Sequence, residues 1–226
     1  QRIKKDNYKI NYLYNLNITK KLVNALIESK IKTRFIFAGS SIMYGNTKKK
    51  IVDEKDVFFS KEYYGKYKID AHKFILNKSN QKFNSTTAIL FNHDSIYRGK
   101  KFLIPRIIKA FKNKNVNFLR KIYSENISGD FSHAEDICYG IYKLSIYKKK
   151  INKIILSSGK RFFINKIITY LEKKFKYNIN KSKLKMNNKN RKFIGSNKLS
   201  KKLLNYKLKK NMLNACSEIS KIKKTV

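Results

Sequence analysis

The order of secondary-structure signals in this 226-residue chain predicts an α/β protein built on a doubly wound parallel sheet. Short apolar runs typical of buried strands, such as residues 33–38 and 86–91, alternate with longer segments of helical periodicity. This alternation favours a parallel sheet, because each return to the sheet needs a crossover that a helix supplies. The chain is long enough to bury a good core in one domain with a smaller lobe.

Helix and strand signals follow one another along most of the chain. Helical spacing of apolar residues predicts a first helix over 15–29, and the run Thr-Arg-Phe-Ile-Phe-Ala predicts a strand over 33–38. Pro105 is expected in the first turn of a helix, where a missing N–H is tolerated. The lysine- and asparagine-rich segment 177–191 gives no clear signal. The other predicted elements are helices over 60–76, 103–111, 133–147 and 162–175, strands over 86–91 and 153–157, and two short helices within 198–221.

Lysine dominates the net charge of +40. Seven of the 54 basic residues are arginine, whereas sites that read phosphates or bases favour the fork of the arginine side chain. The lysines are spread along the whole chain, and lysine, asparagine and isoleucine have A/T-rich codons, so a coding bias explains the charge better than a nucleic-acid groove. We therefore predict no nucleic-acid partner, although the charge would attract an anionic substrate such as a sugar diphosphate.

The two cysteines, Cys138 and Cys216, lie far apart and form no CxxC pair. This usage is typical of a reducing compartment and provides no zinc motif, so we expect a cytoplasmic protein without a metal. No apolar run approaches the roughly 20 residues of a membrane helix, and no membrane partner is expected. No signal peptide is visible, but the chain opens with Gln1 rather than methionine, which suggests that its natural start is absent.

Polar side chains follow directly on the strand signal Thr-Thr-Ala-Ile-Leu-Phe. Asn92, His93, Arg98 and Arg106 come next, within the string 89–106. In an open parallel sheet, ligands bind beyond the carboxyl ends of the strands. We therefore expect these four side chains to converge on a binding site.

The string Phe-Asn-His-Asp-Ser-Ile-Tyr-Arg-Gly-Lys-Lys-Phe resembles the "FNHES-x-x-RG-x-x-F" segment of the GDP-mannose 4,6-dehydratases, a branch of the extended short-chain dehydrogenase/reductase superfamily. Residues 37–45, Phe-Ala-Gly-Ser-Ser-Ile-Met-Tyr-Gly, resemble the family's "x-A-S-S/T-S-E-x-Y-G", and Glu54 stands at its loop glutamate. The resemblance covers most of residues 10–215 and is weaker after residue 160. It implies redox chemistry on a nucleotide-sugar, which we expect to be GDP-linked. The implied cofactor is NADP, with NAD as the alternative.

The glycine-rich phosphate loop of a Rossmann fold has no counterpart in this sequence. Such folds carry G-x-G-x-x-G, or G-x-x-G-x-x-G in this superfamily, in the first strand–helix turn. The segment 15–29 resembles instead the superfamily's fourth helix, with its "N-x-x-G-T-x-x-L-L-E-A" pattern. We therefore expect an incomplete Rossmann-like sheet that lacks about 80–90 preceding residues, at ~30 residues per βαβ unit. The strand over 33–38 would then have an open edge.

Enzymes of this superfamily use a tyrosine and a lysine four residues apart on one helix face, which the resemblance places at Tyr64 and Lys68. The lysine favours the phenolate and binds the nicotinamide ribose, and the tyrosine exchanges a proton with a sugar hydroxyl as hydride moves. Spacing alone does not select this pair, because Tyr-x-x-x-Lys occurs seven times, beginning at Tyr44, Tyr64, Tyr97, Tyr139, Tyr170, Tyr177 and Tyr206. Context selects it, since Tyr64 lies 24 residues after Ser40 and 27 before Phe91.

Further residues take roles from the resemblance. Ser40 falls on the catalytic Ser/Thr that hydrogen-bonds the sugar hydroxyl, and a helix or turn cap is its alternative role. His93 and Arg98 fall on positions that contact the dinucleotide. Asn92 and Arg106 fall on substrate positions, where the family usually has lysine in place of Arg106. The two remaining histidines are interpreted as structural: His72 and His133.

Two departures from the family pattern bear on the reaction. The glutamate two residues after the catalytic Ser/Thr is replaced by Ile42, which offers neither the base for the C5 proton nor the acid for the leaving C6 hydroxyl. The arginine before "D-W-G-H-A" is replaced by Gly129, which removes a diphosphate contact. Either the chemistry has changed or the activity has decayed.

These observations predict a nucleotide-sugar dehydratase whose activity is impaired in the truncated chain. Residues 1–115 would be the C-terminal part of the Rossmann domain, and residues 116–226 a small C-terminal substrate-binding lobe with a closing strand and helices. One alternative is a 4-keto-sugar reductase or epimerase of the same superfamily, for which Ile42 is no defect. Another is a non-catalytic basic binding protein, which should gather arginines and aromatic residues on one face. A full-length form is expected to be a homo-oligomer.

Overall fold

The computed structural model describes residues 5–79, 83–187 and 192–222. Its helices are α1 (Lys5–Glu28), α2 (Tyr63–Lys78), α3 (Leu103–Lys112), α4 (Val116–Ser124), α5 (Ala134–Ser145), α6 (Asn165–Phe175), α7 (Lys198–Leu204) and α8 (Met212–Lys221). Its strands are β1 (Thr33–Ser40), β2 (Ile51–Val52), β3 (Phe83–Leu90), β4 (Asn92–Asp94), β5 (Ser128–His133), β6 (Lys153–Leu156), β7 (Arg161–Phe163) and β8 (Ile194–Gly195). A 3-10 helix, Ser41–Tyr44, follows β1.

The main sheet has three parallel strands in the order β1-β3-β6. β1 and β3 pair along their whole length, from Thr33 opposite Phe83 to Ser40 opposite Leu90. Among the described residues β1 pairs with β3 alone, so the open edge expected for this strand is present.

Helices cover both faces of this sheet because successive strand residues point to opposite sides. Phe35 and Phe37 pack with α1 and α2, against residues such as Val23 and Ile75. Even-numbered residues of the strands pack with α5, α7 and the segment after α7: Ile36, Ala88, Ile154 and Leu156. The predicted doubly wound parallel sheet is therefore confirmed.

A second core lies among α3, α4, α6 and α8, whose buried side chains form one apolar cluster. Beside it is a mixed sheet in which β4 pairs parallel with β5, and β5 pairs antiparallel with β7. A third pairing joins β2 to β8. The boundary at residue 115 remains a prediction. In the structure α3 packs with helices that follow residue 115, and β6 completes the sheet that begins at β1.

Several boundaries differ from the sequence predictions. α1 begins at Lys5, and α4 and most short strands were not predicted. The predicted helix 162–175 is wrong at its start, because Phe162 and Phe163 pair in β7 with β5. Pro105 lies in the first turn of α3 as expected. Of the ambiguous segment 177–191, the last four residues lie outside the described part of the chain.

Within the described ranges no helix is long and apolar enough to cross a membrane. The same residues contain no group of three or more histidine, cysteine, aspartate or glutamate side chains placed to hold a metal ion. Cys138 is exposed and Cys216 is buried, and both are free thiols.

Candidate active site

Parallel pairing brings the end of β1 and the segment after β3 to one edge of the main sheet. Ser40 lies opposite Leu90, so Phe91 and Asn92 follow at the level where the chain leaves β1. The N–H of Phe91 donates to the carbonyl oxygen of Leu156 at the end of β6, at 3.2 Å. This edge holds the carboxyl ends of all three strands, which is where ligands bind in open parallel sheets.

Ser40 ends β1 and caps the 3-10 helix that follows it. Its backbone is extended, and its hydroxyl oxygen accepts the N–H of Ile42 at 3.4 Å. The capping role considered as an alternative for Ser40 is therefore present. Capping uses one lone pair of the hydroxyl, whose proton and second lone pair remain available to a sugar hydroxyl.

Helix α2 places the ammonium group of Lys68 against the end of β1. Its Nζ donates to the carbonyl oxygen of Ala38 at 2.8 Å. The same nitrogen lies 4.8 Å from the ring centroid of Phe37, 5.0 Å from that of Tyr67 and 5.6 Å from that of Tyr64. Contacts of this kind contribute about 0.5–1 kcal/mol each at exposed sites, so Lys68 is held by one hydrogen bond and three rings.

A glycine in the first turn of α2 brings this helix close to the turn after β1. A Cβ at Gly65 would meet Ser60 Oγ at 2.0 Å and the carbonyl oxygen of Ile42 at 3.2 Å. No side chain fits there without a shift. The adjacent Tyr64 is therefore held near the turn that Ser40 caps.

Burial controls the proton affinities of the tyrosine and the lysine. It raises the pKa of the Tyr64 phenol, with a smaller effect of Tyr67, and it lowers the pKa of Lys68. The Lys68 ammonium group, which would lower the pKa of Tyr64 at close range, donates instead to the Ala38 carbonyl oxygen. The Tyr64 side chain is still 53% exposed, so solvent or a ligand reaches it.

Several other tyrosines of the Tyr-x-x-x-Lys spacing lie in unsuitable places. Tyr44 and Tyr206 are buried, and the Tyr44 hydroxyl donates to the carbonyl oxygen of Asp53 at 2.9 Å. Burial raises the pKa of both. Tyr97 is 91% exposed on a turn. Tyr64 is the tyrosine whose lysine partner is bonded to the end of β1.

The segment after β3 forms a short strand, β4. Asn92 Nδ2 donates to the carbonyl oxygen of Asp130 on β5, at 3.1 Å. His93 Nδ1 lies 2.8 Å from the carbonyl oxygen of Phe91, and burial lowers the pKa of the ring. A neutral ring that donates from Nδ1 presents Nε2 as an acceptor. The structure thus places Asn92 and His93 at the edge of the sheet that Ser40 occupies.

The two arginines contact aromatic rings and an aspartate near the start of α3 and on α4. The Arg98 guanidinium lies over the Phe102 ring at 3.7 Å, and its Nε is 3.6 Å from Asp94 Oδ1. Arg106 is exposed on α3, with its guanidinium 4.9 Å from the Phe118 ring centroid. None of these described contacts involves the residues at the end of β1. Asn92 and His93 therefore lie at this edge, and Arg98 adds to the lowering of the His93 pKa that burial causes, whereas no described contact links Arg106 to them.

Sequence reasoning missed Asp130, which joins three segments beneath this edge. Its carboxylate is fully buried and accepts hydrogen bonds from the N–H of Ser158 at 2.8 Å, Gly159 at 3.0 Å and Gly195 at 3.2 Å. The Ser158 hydroxyl also donates to it, at 2.6 Å. The only sequence signal was its place in Gly-Asp-Phe-Ser-His-Ala, beside the family's "D-W-G-H-A".

The histidines interpreted as structural have internal partners. His72 is buried and its Nδ1 lies 2.8 Å from Thr87 Oγ1. His133 caps α5 by accepting the N–H of Glu135, and its Nε2 lies 2.9 Å from Glu218 Oε2. These contacts support a structural role for both rings.

Comparison with known protein families identifies the relationship. The family model described as GDP-mannose 4,6 dehydratase matches residues 9–226. The chain belongs to this family. The match continues beyond residue 160, where the motifs in the sequence were weak.

Curated members of the dehydratase family are distant relatives. A GDP-mannose 4,6-dehydratase of Sinorhizobium fredii (strain HH103) is 27% identical over 116 residues, which cover 50% of this chain and 33% of that protein. GDP-mannose 4,6 dehydratase 2 of Caenorhabditis elegans is 23% identical over 151 residues, which cover 65% of this chain and 39% of that protein. The aligned part thus spans about a third to two fifths of these relatives.

Solved structures share the fold of this dehydratase-family chain. UDP-glucuronic acid 4-epimerase from Bacillus cereus, in complex with NAD, gives a TM-score of 0.74 at 18% identity, covering 91% of this chain and 66% of that one. RMD from Pseudomonas aeruginosa, complexed with NADPH, gives 0.76 at 16% identity, covering 91% and 70%. At these identities the likeness concerns the fold alone.

The structure shows the surroundings of three positions of the dehydratase pattern, of which Ile42 and Gly129 depart from it and Glu54 matches it. Ile42 lies half-buried in the 3-10 helix capped by Ser40. Glu54, the loop glutamate of the pattern, accepts the N–H of Ile155 at 2.8 Å and so secures β6. A Cβ at Gly129 would meet only ordinary contacts, with the Phe131 ring at 3.5 Å and Lys192 Cβ at 3.6 Å. Packing therefore does not require glycine at that position.

Proposed function

We propose that this chain carries the sugar-handling and nicotinamide-handling part of an NAD(P)-dependent nucleotide-sugar enzyme of the dehydratase family. GDP-mannose is the first candidate substrate, and NADP the first candidate cofactor, with NAD as the alternative. The observation that carries the proposal is the hydrogen bond from Lys68 to Ala38 beside Ser40, which sets the Tyr64–Lys68 pair at the ligand-binding edge of the sheet. Family membership supplies the class of reaction.

The described residues fit the nicotinamide end of a dinucleotide. Lys68 has a carbonyl partner that ribose hydroxyls can replace, and His93 presents an acceptor nitrogen in the segment that follows β3. Within the described residues no glycine-rich turn opens a helix, so they offer no cradle of the usual kind for the pyrophosphate. A bound nicotinamide dinucleotide supplies the acceptor for hydride from C4 of the hexose.

The protein's own groups move the proton that accompanies hydride transfer. Tyr64 accepts the proton of the C4 hydroxyl, and Ser40 holds that hydroxyl by a hydrogen bond. Because burial raises the Tyr64 pKa, the phenol needs a nearby cation to ionise. Lys68 would provide it, and would also hold the ribose of a bound dinucleotide, if its ammonium group left the Ala38 carbonyl. On the substrate side, Asn92 contacts the sugar, and Arg98 and Arg106 supply positive charge for the cofactor and the diphosphate.

A second candidate is 4-keto reduction or epimerisation without loss of water, and Ile42 is the observation that favours it. Dehydration requires a base for the C5 proton and an acid for the C6 hydroxyl, and the side chain of Ile42 provides neither. Hydride exchange at C4 needs only Tyr64, Lys68 and Ser40. A non-catalytic basic binding protein gains no support from the family match. Homo-oligomer formation and a cytoplasmic location stay predictions.

A hydride-transfer assay tests the proposal. The enzyme should be the longest form that its gene encodes or, if that is this chain, a fusion behind a glycine-rich Rossmann half of the kind that this superfamily carries. With GDP-mannose and NADP⁺, we expect reduced cofactor or a changed sugar nucleotide by absorbance and mass spectrometry. Tyr64→Phe should abolish the reaction, whereas Tyr97→Phe, at a fully exposed tyrosine of the same spacing, should leave it unchanged. Undiminished activity of Tyr64→Phe would show that the wrong tyrosine was chosen.

A further inference from the structure

Asp94 and Arg98 form an ion pair without a hydrogen bond between the two side chains. The carboxylate of Asp94 is 6% exposed, and Arg98 Nε lies 3.6 Å from its Oδ1, beyond hydrogen-bond distance. That Nε is buried and has no hydrogen-bond partner among the described residues. In the family pattern "FNHES" this position carries glutamate, so Asp94 is one methylene shorter than usual.

The described contacts leave the terminal nitrogens of the Arg98 guanidinium without a hydrogen-bond partner. The guanidinium stacks on the half-exposed ring of Phe102 at 3.7 Å, which fixes its plane. An arginine has five N–H donors, and the four on its terminal nitrogens suit the oxygens of a phosphate. The only described hydrogen bond to the Asp94 side chain comes from the N–H of Ser95, at 3.1 Å.

The elements around Asp94 contribute few other charges. β5 places His133 opposite Asp94, and α8 contributes the buried thiol of Cys216. Burial raises the pKa of Asp94 to about 6, against the lowering effects of Arg98 and His133.

The remaining acids near this network have partners of their own. Glu218 on α8 lies against His133 and Lys210. On α5, Glu135 is paired with Lys210, and Asp136 accepts the backbone N–H groups of Lys209 and Lys210. Arg98 and His133 are therefore the described cationic or ionisable nitrogen groups that act on Asp94.

We infer that Asp94 competes with bound anions for Arg98, so that a phosphate-like oxyanion binds at Arg98 together with a proton on Asp94. The identity of the natural anion, a phosphate of the cofactor or of the nucleotide-sugar, rests on the proposed function. The coupling rests on the ion pair alone. Because an anion and the Asp94 carboxylate repel each other, binding is weaker while Asp94 is ionised. By reciprocity, anion affinity increases as the pH falls through the titration of Asp94.

Sulfate is the probe of choice, because its charge stays constant across the relevant pH range. The Arg98 Nε–Hε signal in a ¹⁵N NMR spectrum reports binding at this arginine rather than at the many lysines, and burial of Nε slows its exchange. We expect sulfate to bind about tenfold more tightly at pH 5.0 than at pH 7.5, the size given by charges roughly 7 Å apart at an effective ε near 20 with screening.

Three variants make the test specific. Asp94→Asn should bind sulfate as tightly at pH 7.5 as at pH 5.0, whereas Asp94→Glu should retain the pH dependence. His93→Gln should also retain it, which separates Asp94 from the neighbouring imidazole. Equal affinities at both pH values in the unmodified chain, or a persistent difference in Asp94→Asn, would overturn the inference. If sulfate binding depends on pH as expected but the protein shows no hydride transfer, the inference about Asp94 and Arg98 stands and only the proposed function is contradicted.

Discussion

Replacement of Asp130 should destabilise the protein more than any change at the exposed active-site edge. Its carboxylate, carried by β5, is the shared acceptor for the turn after β6 and for β8. Asp130→Ala leaves the N–H groups of Ser158, Gly159 and Gly195 without this acceptor. All three segments then lose their common attachment.

The magnitude follows from the burial of each donor. The Gly195 N–H is buried, so its loss costs about 1–3 kcal/mol. Ser158 and Gly159 are partly exposed and can bind water, so each costs ~0.5–1.5 kcal/mol. Burial raises the pKa of Asp130, which shows that its charge is desolvated, and removal of that charge offsets part of the loss. A net destabilisation of about 2–4 kcal/mol remains, a large part of the ~5–15 kcal/mol of a typical domain.

Urea denaturation followed by circular dichroism measures this free energy, and amide hydrogen exchange locates it. The Gly159 and Gly195 amides should exchange much faster in Asp130→Ala than in the unmodified chain. Ser158→Ala is the matched control, because it removes one hydroxyl donor and keeps the carboxylate, with an expected cost of ~1 kcal/mol. If Asp130→Ala is no less stable than Ser158→Ala, the role assigned to the carboxylate is wrong.

The remaining predictions concern the cofactor, the reaction and the acid response. NADP⁺ should bind the 226-residue chain alone weakly or not at all, because the described residues offer no glycine-rich turn at a helix start to hold the pyrophosphate; micromolar affinity in calorimetry would contradict this. In an enzyme form active in the hydride-transfer assay, Ile42→Glu should raise dehydration relative to 4-keto reduction, since one acid–base group typically contributes ~10²–10⁴-fold. Abundant 4-keto-6-deoxy sugar from the Ile42 form would show that another residue supplies the base. Burial lowers the pKa of His72 to about 4, so the unfolded chain binds its proton first and stability should fall as the pH drops from ~6.5 to about 4. His72→Gln should remove about 1.4 kcal/mol per pH unit of that slope in urea titrations, and an unchanged slope would rule out this origin.

The main sheet was predictable because its strands are continuous apolar runs covered on both faces. The short strands were not, since Ser-Gly-Asp-Phe-Ser-His in β5 and Asn-His-Asp in β4 have polar compositions that only pairing makes extended. α4 has nine residues, which is too few for a firm periodicity signal. Phe162 and Phe163 fit a helical pattern in the sequence, but in the structure they pair with β5 and so form part of β7.

The candidate site was predictable only where a motif supplied the context. Seven tyrosines have a lysine four residues later, and the resemblance around Ser40 selected Tyr64 among them. In the structure the matching lysine, Lys68, donates a hydrogen bond to the carbonyl oxygen of Ala38 in β1. Asp130 could not be found this way, because its partners lie 28 to 65 residues away along the chain. The loose pairing of Asp94 with Arg98 depends on side-chain distances that no local pattern encodes.

The late position of β6 has a consequence for synthesis on the ribosome. β3 ends at Leu90 and its second neighbour begins at Lys153, so roughly 60 residues must be added before that side of β3 can be covered. At ~5–20 residues per second this takes about 3–12 s. During that interval the edge of β3 that later pairs with β6 stays open. We therefore expect this edge of the nascent chain to be accessible to chaperones that bind exposed apolar segments near the exit tunnel.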